Sequence, residues 1–235
     1  MAYAVLVLMT YASAQKLPKR PKITGIDHVS FYTTDQDKNQ KLYVTVLGLQ
    51  ASTAVSPLEP GQVQRFMVGK QWVGYSPAPD AQSINRMDHV AFTTENAEAM
   101  RAYLASKGVA VPNAVTSSNG FKSFVVKDPE GHRIEFGERT GALEKLQGGQ
   151  GDSVSRRMIH AGIIVRDRAA EDRFYKDILG FRAYWSGGMR PERTDWVAIQ
   201  VPDGTDWLEY MRLDFCAAAI IANPSSTVCD IGFSQ

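Results

Sequence analysis

Cysteine and histidine are scarce in this chain. Two cysteines and four histidines occur in 235 residues. No CxxC pair or Cys/His spacing is present, which excludes a zinc ribbon or finger and a disulfide-scaffolded small domain. An excess of either charge is also missing: 26 basic side chains face 25 acidic ones, for a formal net charge of +1. With no basic excess to neutralise phosphates, nucleic acid and anionic membranes are poor partners. Long apolar runs are absent too, since Ala4–Met9 falls far short of the roughly 20 residues that cross a bilayer. What remains is an ordinary globular composition, 44% apolar and 22% charged, sized for one large or two small domains. Any nitrogen-ligated metal must therefore sit on very few histidines, and their positions become the main question.

The ends differ from the middle. Residues 1–14 combine the short apolar run with Ala12-Ser13-Ala14, a pattern that signal peptidase accepts, although no Lys or Arg precedes Lys16. The expectation is a cleaved export signal and a periplasmic or extracellular protein; if the segment is not a signal, the protein is cytoplasmic. Residues 213–235 hold both cysteines, Cys216 and Cys229, with one acidic and no basic side chain after Phe215. The cysteines are either a disulfide of an oxidising compartment or two free thiols in an atypical tail.

Internal similarity organises everything between. Ile26-Asp27-His28-Val29, Met87-Asp88-His89-Val90 and Met158-Ile159-His160-Ala161 match, with histidines 61 and 71 residues apart. Each opens a β-rich segment followed by a helical one: Asp35–Leu47, Glu95–Lys107 and Arg168–Leu179. Ala97, Met100, Tyr103 and Leu104 share one face of the second helix, and Gly48, Gly108 and Gly180 stand where helices end. Further strands are expected after each, at Gln62–Val68 and Gln71–Ser76, at Val109–Ala114, Phe121–Lys127 and His132–Gly137, and at Phe181–Ser186, Trp196–Val201 and Trp207–Arg212. The predicted unit is strand, helix and three strands in about 55 residues. The plan is a paired first and second unit over 22–138, a Gly-rich linker over 139–155, and a third unit over 156–212.

This βαβββ repeat, the Asp-His first strands and the Asp128-Pro129-Glu130-Gly131-His132-Arg133-Ile134-Glu135-Phe136 hairpin resemble the vicinal oxygen chelate superfamily of glyoxalases, bleomycin-resistance proteins and extradiol dioxygenases. The resemblance implies an α+β fold in which paired modules form a cupped mixed sheet. A divalent metal sits inside, held from the first and last strands. Period-two alternation agrees with that plan: His28, Ser30 and Tyr32 share a face, as do His89 and Ala91, and Arg133 and Glu135. His28, His89 and Glu135 form a two-His-one-carboxylate set suited to Fe(II), with Mn, Zn or Ni as alternatives. The matching fourth position falls on Val73 or Gly74, neither of which ligates through its side chain; Tyr75 is the nearby substitute. Tyr32, Tyr75, Phe121 and Arg133 are candidate pocket residues. His132, three residues before Glu135, is a hairpin residue rather than a ligand.

The third unit repeats half of this set in His160 and Glu209, and the 23 residues after Arg212 are too few for another unit. Either two chains pair their third units across a two-fold axis, giving a homodimer, or the gene is truncated or frame-shifted. The expected function is a metal-dependent extradiol-type dioxygenase acting on a small substrate with vicinal oxygens. The alternatives are a glyoxalase- or epimerase-like lyase/isomerase and a non-catalytic, resistance-type binding protein. No catalytic acid or base is identifiable.

Overall fold

The structure is a computed structural model describing residues 18–52, 63–80, 86–118, 120–141 and 153–212. The expected signal segment, the Gly-rich stretch at 146–152 and the cysteine-bearing tail lie outside the described residues. Among those described, no helix is long and apolar enough to cross a membrane.

The first module runs β1 (Ile23–Thr33), α1 (Gln36–Gln40, continuing as a π-helical turn over Lys41–Val46), β2 (Gln50–Ser52), β3 (Gln64–Val68) and β4 (Gln71–Pro77). The second is β5 (Met87–Thr94), α2 (Ala97–Ser106), β6 (Thr116–Ser118), β7 (Phe121–Lys127) and β8 (Arg133–Arg139). The third is β9 (His160–Val165), α3 (Arg168–Asp172, with a π-helical continuation Arg173–Ile178), β10 (Arg182–Gly187), β11 (Trp196–Gln200) and β12 (Trp207–Arg212). Each helix starts the same way. Asp35, Asn96 and Asp167 accept the backbone N–H three residues on, at 3.0, 2.7 and 3.0 Å, which satisfies a donor the first turn leaves open. Gly48, Gly108 and Gly180 end them at φ of 65, 81 and 79°, where a side chain would be strained.

One expected strand is absent. Val109–Ala114 is irregular: Pro112 has no N–H to give a ladder, and its carbonyl instead accepts from Arg101 at 3.2 Å. The edge strand forms just beyond, at Thr116–Ser118 against Phe121–Ser123.

Two modules make one sheet. Its order is β2-β3-β4-β1-β5-β8-β7-β6, with β1 and β5 antiparallel at the centre and each flanked by its own module's last strand in parallel. The third module forms a separate sheet, β10-β11-β12-β9. On the helix side, Ala97, Met100, Tyr103 and Leu104 of α2 are buried, as is Tyr43 of the first helix. Full burial of one such aromatic or aliphatic side chain is worth about 1.5–3 kcal/mol. Phe92 meets Phe181 of the third module edge to face at 5.3 Å, and Tyr103 donates to the Ile178 carbonyl at 2.6 Å. The hairpin turn of the third module also docks on β1: Asp206 accepts from Ile26 N at 2.9 Å and Asp203 from Ile23 N at 2.8 Å. Gly204 is required there, because a Cβ would lie 1.9 Å from the Thr24 carbonyl oxygen.

Candidate metal centre

The central β1–β5 pair sets the geometry. Ser30 lies opposite His89 and His28 opposite Ala91, so the two histidines approach on the diagonal. Their rings meet edge to face, with Nε2 atoms 2.9 Å apart. In parallel register β8 brings Glu135 opposite Ala91, and its Oε2 lies 3.2 Å from both Nε2 atoms. His28, His89 and Glu135 are 0, 1 and 1% exposed.

Hydrogen-bond accounting shows what this cluster lacks. His28 Nδ1 is 2.8 Å from Asp27 and His89 Nδ1 is 3.1 Å from Asp88. Burial opposes ionisation of both aspartates, yet their neighbours outweigh it. Asp27 is lowered by His28 and Arg139, and Asp88 is brought to about 2 by His89, Tyr32 and Arg133. Ionised carboxylates only accept, so each Nδ1 donates and each Nε2 is turned inward. Neither Glu135 oxygen has a hydrogen-bond donor. Three possible ligand atoms thus converge in a dry place. Two protonated rings 2.9 Å apart would repel, whereas one divalent cation satisfies all three donors. The residues fit a metal.

The fourth position is closed. Ser30 pairs with Gly74 as Ala91 pairs with Glu135, so Gly74, not Val73, takes the place of the carboxylate. A Cβ on Gly74 would meet the Trp72 ring at 2.6 Å, and that ring stacks on His28 at 3.7 Å and 14°. Arg65 lies over the indole at 4.4 Å. Phe121 similarly covers Gly137, 6.3 Å from the His28 ring. Tyr32 and Arg133 meet at Asp88: the Tyr32 hydroxyl donates at 2.6 Å, and Arg133 forms an ion pair. With Met87, Gly131 and His132 they line a cavity of about 150 Å³.

Tyr75 corrects the expected pocket. It is fully buried on the opposite face of β4, stacked near Tyr43 and Phe66 at 5.9 and 5.5 Å, with its hydroxyl donating to Gln36 O and Gln64. With Trp72 and Gly74 turned toward the histidines, alternation sends Val73 and Tyr75 to the helix.

Residues 25–136 match the family model described as Glyoxalase/Bleomycin resistance protein/Dioxygenase superfamily. This stretch belongs to that superfamily. Solved structures extend the likeness of fold. A Mn(II)-bound glyoxalase from Novosphingobium aromaticivorans aligns with a TM-score of 0.61 at 18% identity, over 82% of this chain and 62% of its own. Homoprotocatechuate 2,3-dioxygenase from Brevibacterium fuscum, in complex with 3,4-dihydroxyphenylacetate, aligns at 0.59 and 17%, over 84% and 63%. The Arthrobacter globiformis homoprotocatechuate 2,3-dioxygenase gives 0.60 and 18%, over 82% and 61%. The chain thus spans about three fifths of the length of these structures. No curated protein matches it by sequence.

The third module repeats the strand plan of the first two in a different environment. His160 pairs with Trp207 and Gly162 with Glu209, the register that places Glu135. His160 Nε2 and Glu209 Oε2 are 3.9 Å apart, and Trp207 stacks on the imidazole at 5.3 Å. Burial lowers His160 and raises Glu209, so each favours its neutral form. Among the described residues no strand pairs with the outer edge of β9. Ile159 precedes His160 where an aspartate precedes the other two.

Asp27, Asp88, Trp72 and Arg139 are the site residues that alternation missed. Strict period two puts Asp27 and Asp88 opposite their histidines. The β1–β5 register shifts between Ile26 and His28 and again between Ser30 and Phe31, which breaks that period at both Asp-His pairs. The repeated Asp-His dipeptide was the available signal.

Proposed function

We propose that this chain is a metal-dependent enzyme of the extradiol dioxygenase type, acting on a small substrate with vicinal oxygens. The observation that carries the reading is the three-donor set of His28, His89 and Glu135 with Trp72 over Gly74 in the fourth position. Such a set leaves coordination positions for substrate. A bound Fe(II) or Mn(II) would polarise the vicinal oxygens and supply the one-electron chemistry that dioxygen requires. Asp27 and Asp88 fix both imidazoles with Nε2 inward. Burial and Asp88 raise the Tyr32 phenol above its ordinary value, so it stays protonated and serves as a hydrogen-bond donor at the cavity. Arg133 balances the Asp88 charge. Trp72 and Phe121 keep water from the His28 side.

The test is anaerobic purification, reconstitution with Fe(II) or Mn(II), and oxygen uptake with a panel of catechols. Metal binding with oxygen consumption is expected. Turnover of a methylglyoxal–thiol adduct without oxygen uptake would favour a lyase, and failure to bind metal would favour a resistance-type binding module. Pairing of two copies along β9 is a separate proposal, which a monomeric mass in solution would overturn. Export is another, tested by the N-terminus of the protein recovered from cells.

A further inference from the structure

A second cluster of ligating side chains lies where the β7–β8 hairpin of the second module meets α3 of the third. Asp128, His132 and Glu171 place ligand atoms within 4.8 Å of one another. The hairpin turn uses one Asp128 oxygen, Oδ1, which accepts from Glu130 N at 3.1 Å and His132 N at 2.8 Å. Oδ2 points the other way, 2.7 Å from His132 Nδ1, and accepts from the Tyr175 hydroxyl at 3.1 Å. Glu171 enters from α3. Its Oε1 accepts from Glu130 N at 3.1 Å, while Oε2 has no partner although the residue is 0% exposed. The Tyr210 hydroxyl, on a side chain 1% exposed, is also without a partner, and it feels the charges of Asp172, Glu171 and Asp128.

An orphaned carboxylate oxygen in a dry cluster is the signature already seen at Glu135. Leaving such an oxygen buried and unpaired is costly, so something must balance it. We propose that Asp128, His132 and Glu171 hold a second divalent cation, one that accepts mixed nitrogen and oxygen donors as Zn²⁺ and Mn²⁺ do, clamping the third module to the second. Two carboxylates neutralise its charge and the imidazole completes a three-residue set. His132 also lines the 150 Å³ cavity. Glu130 reinforces the clamp by accepting from Arg166 N and Asp167 N, both at 2.6 Å.

The test is Zn²⁺ content of the full chain after equilibrium dialysis, measured on wild type, Glu171→Gln, His132→Asn and His89→Ala. Wild type should hold two equivalents. Glu171→Gln and His132→Asn should each lose one, and His89→Ala should lose the other. Chelation of His89→Ala protein should lower its melting temperature, with no such shift once Glu171→Gln is added. Unchanged metal content in Glu171→Gln and His132→Asn overturns the proposal and leaves a proton as the occupant. Because those two variants are scored against wild type, failure of the His28/His89/Glu135 centre would appear separately, as unchanged content in His89→Ala.

Discussion

His28 and His160 stand at the same place in the same strand of the same unit, but their surroundings differ in three respects. His28 meets His89 across β1–β5, whereas no strand lies along the outer edge of β9 among the described residues. A carboxylate lies 3.2 Å from His28, supplied by Glu135 of the second module's last strand, and 3.9 Å from His160, supplied by Glu209 of its own module. Asp27 orients His28, while the Ile159 side chain has no atom that could accept from His160. A module therefore supplies strand positions for ligating residues, and the pairing of two modules with two well-placed aspartates gathers them into a cluster that could hold a metal ion. Second-layer carboxylates commonly fix the tautomer and aim of ligating histidines in this way.

The largest expected break of this comparison is His89→Ala, which should abolish metal binding at the paired centre. Metal analysis of reconstituted protein checks it. Next is Phe181→Ala, which removes the ring packed on Phe92 and should cost about 3–5 kcal/mol of stability by chemical denaturation. If the paired sheet makes the centre by itself, metal affinity in folded Phe181→Ala protein should stay at the wild-type value. Asp88→Asn keeps the shape of the second layer and removes its charge. Metal affinity should fall roughly 10–100-fold by competition with a chromophoric chelator, and wild-type affinity would remove Asp88 from the account. The smallest effect belongs to His160→Ala, which should leave metal content and affinity unchanged.

Much of this was legible in the sequence. The three Asp-His or Ile-His strands, the glycines after the helices and the apolar face of α2 gave the module plan, because period and turn chemistry are local. His28, His89 and Glu135 were readable as one set because the resemblance implies ligands on first and last strands and alternation puts each on the polar face of its strand. Tyr75 was misplaced because the hairpin register decides between adjacent residues with opposite faces. Asp27 and Asp88 were overlooked because the shifts between β1 and β5 break the alternation at those pairs. Glu171 could not be foreseen, since its cluster depends on how two modules pack and no local pattern carries that information.

The most direct test is an anomalous difference map from crystals loaded with Mn(II). A peak enclosed by His28, His89 and Glu135 is expected, with none beside His160 and Glu209. A bare triad, or a peak at His160 and Glu209, would contradict it.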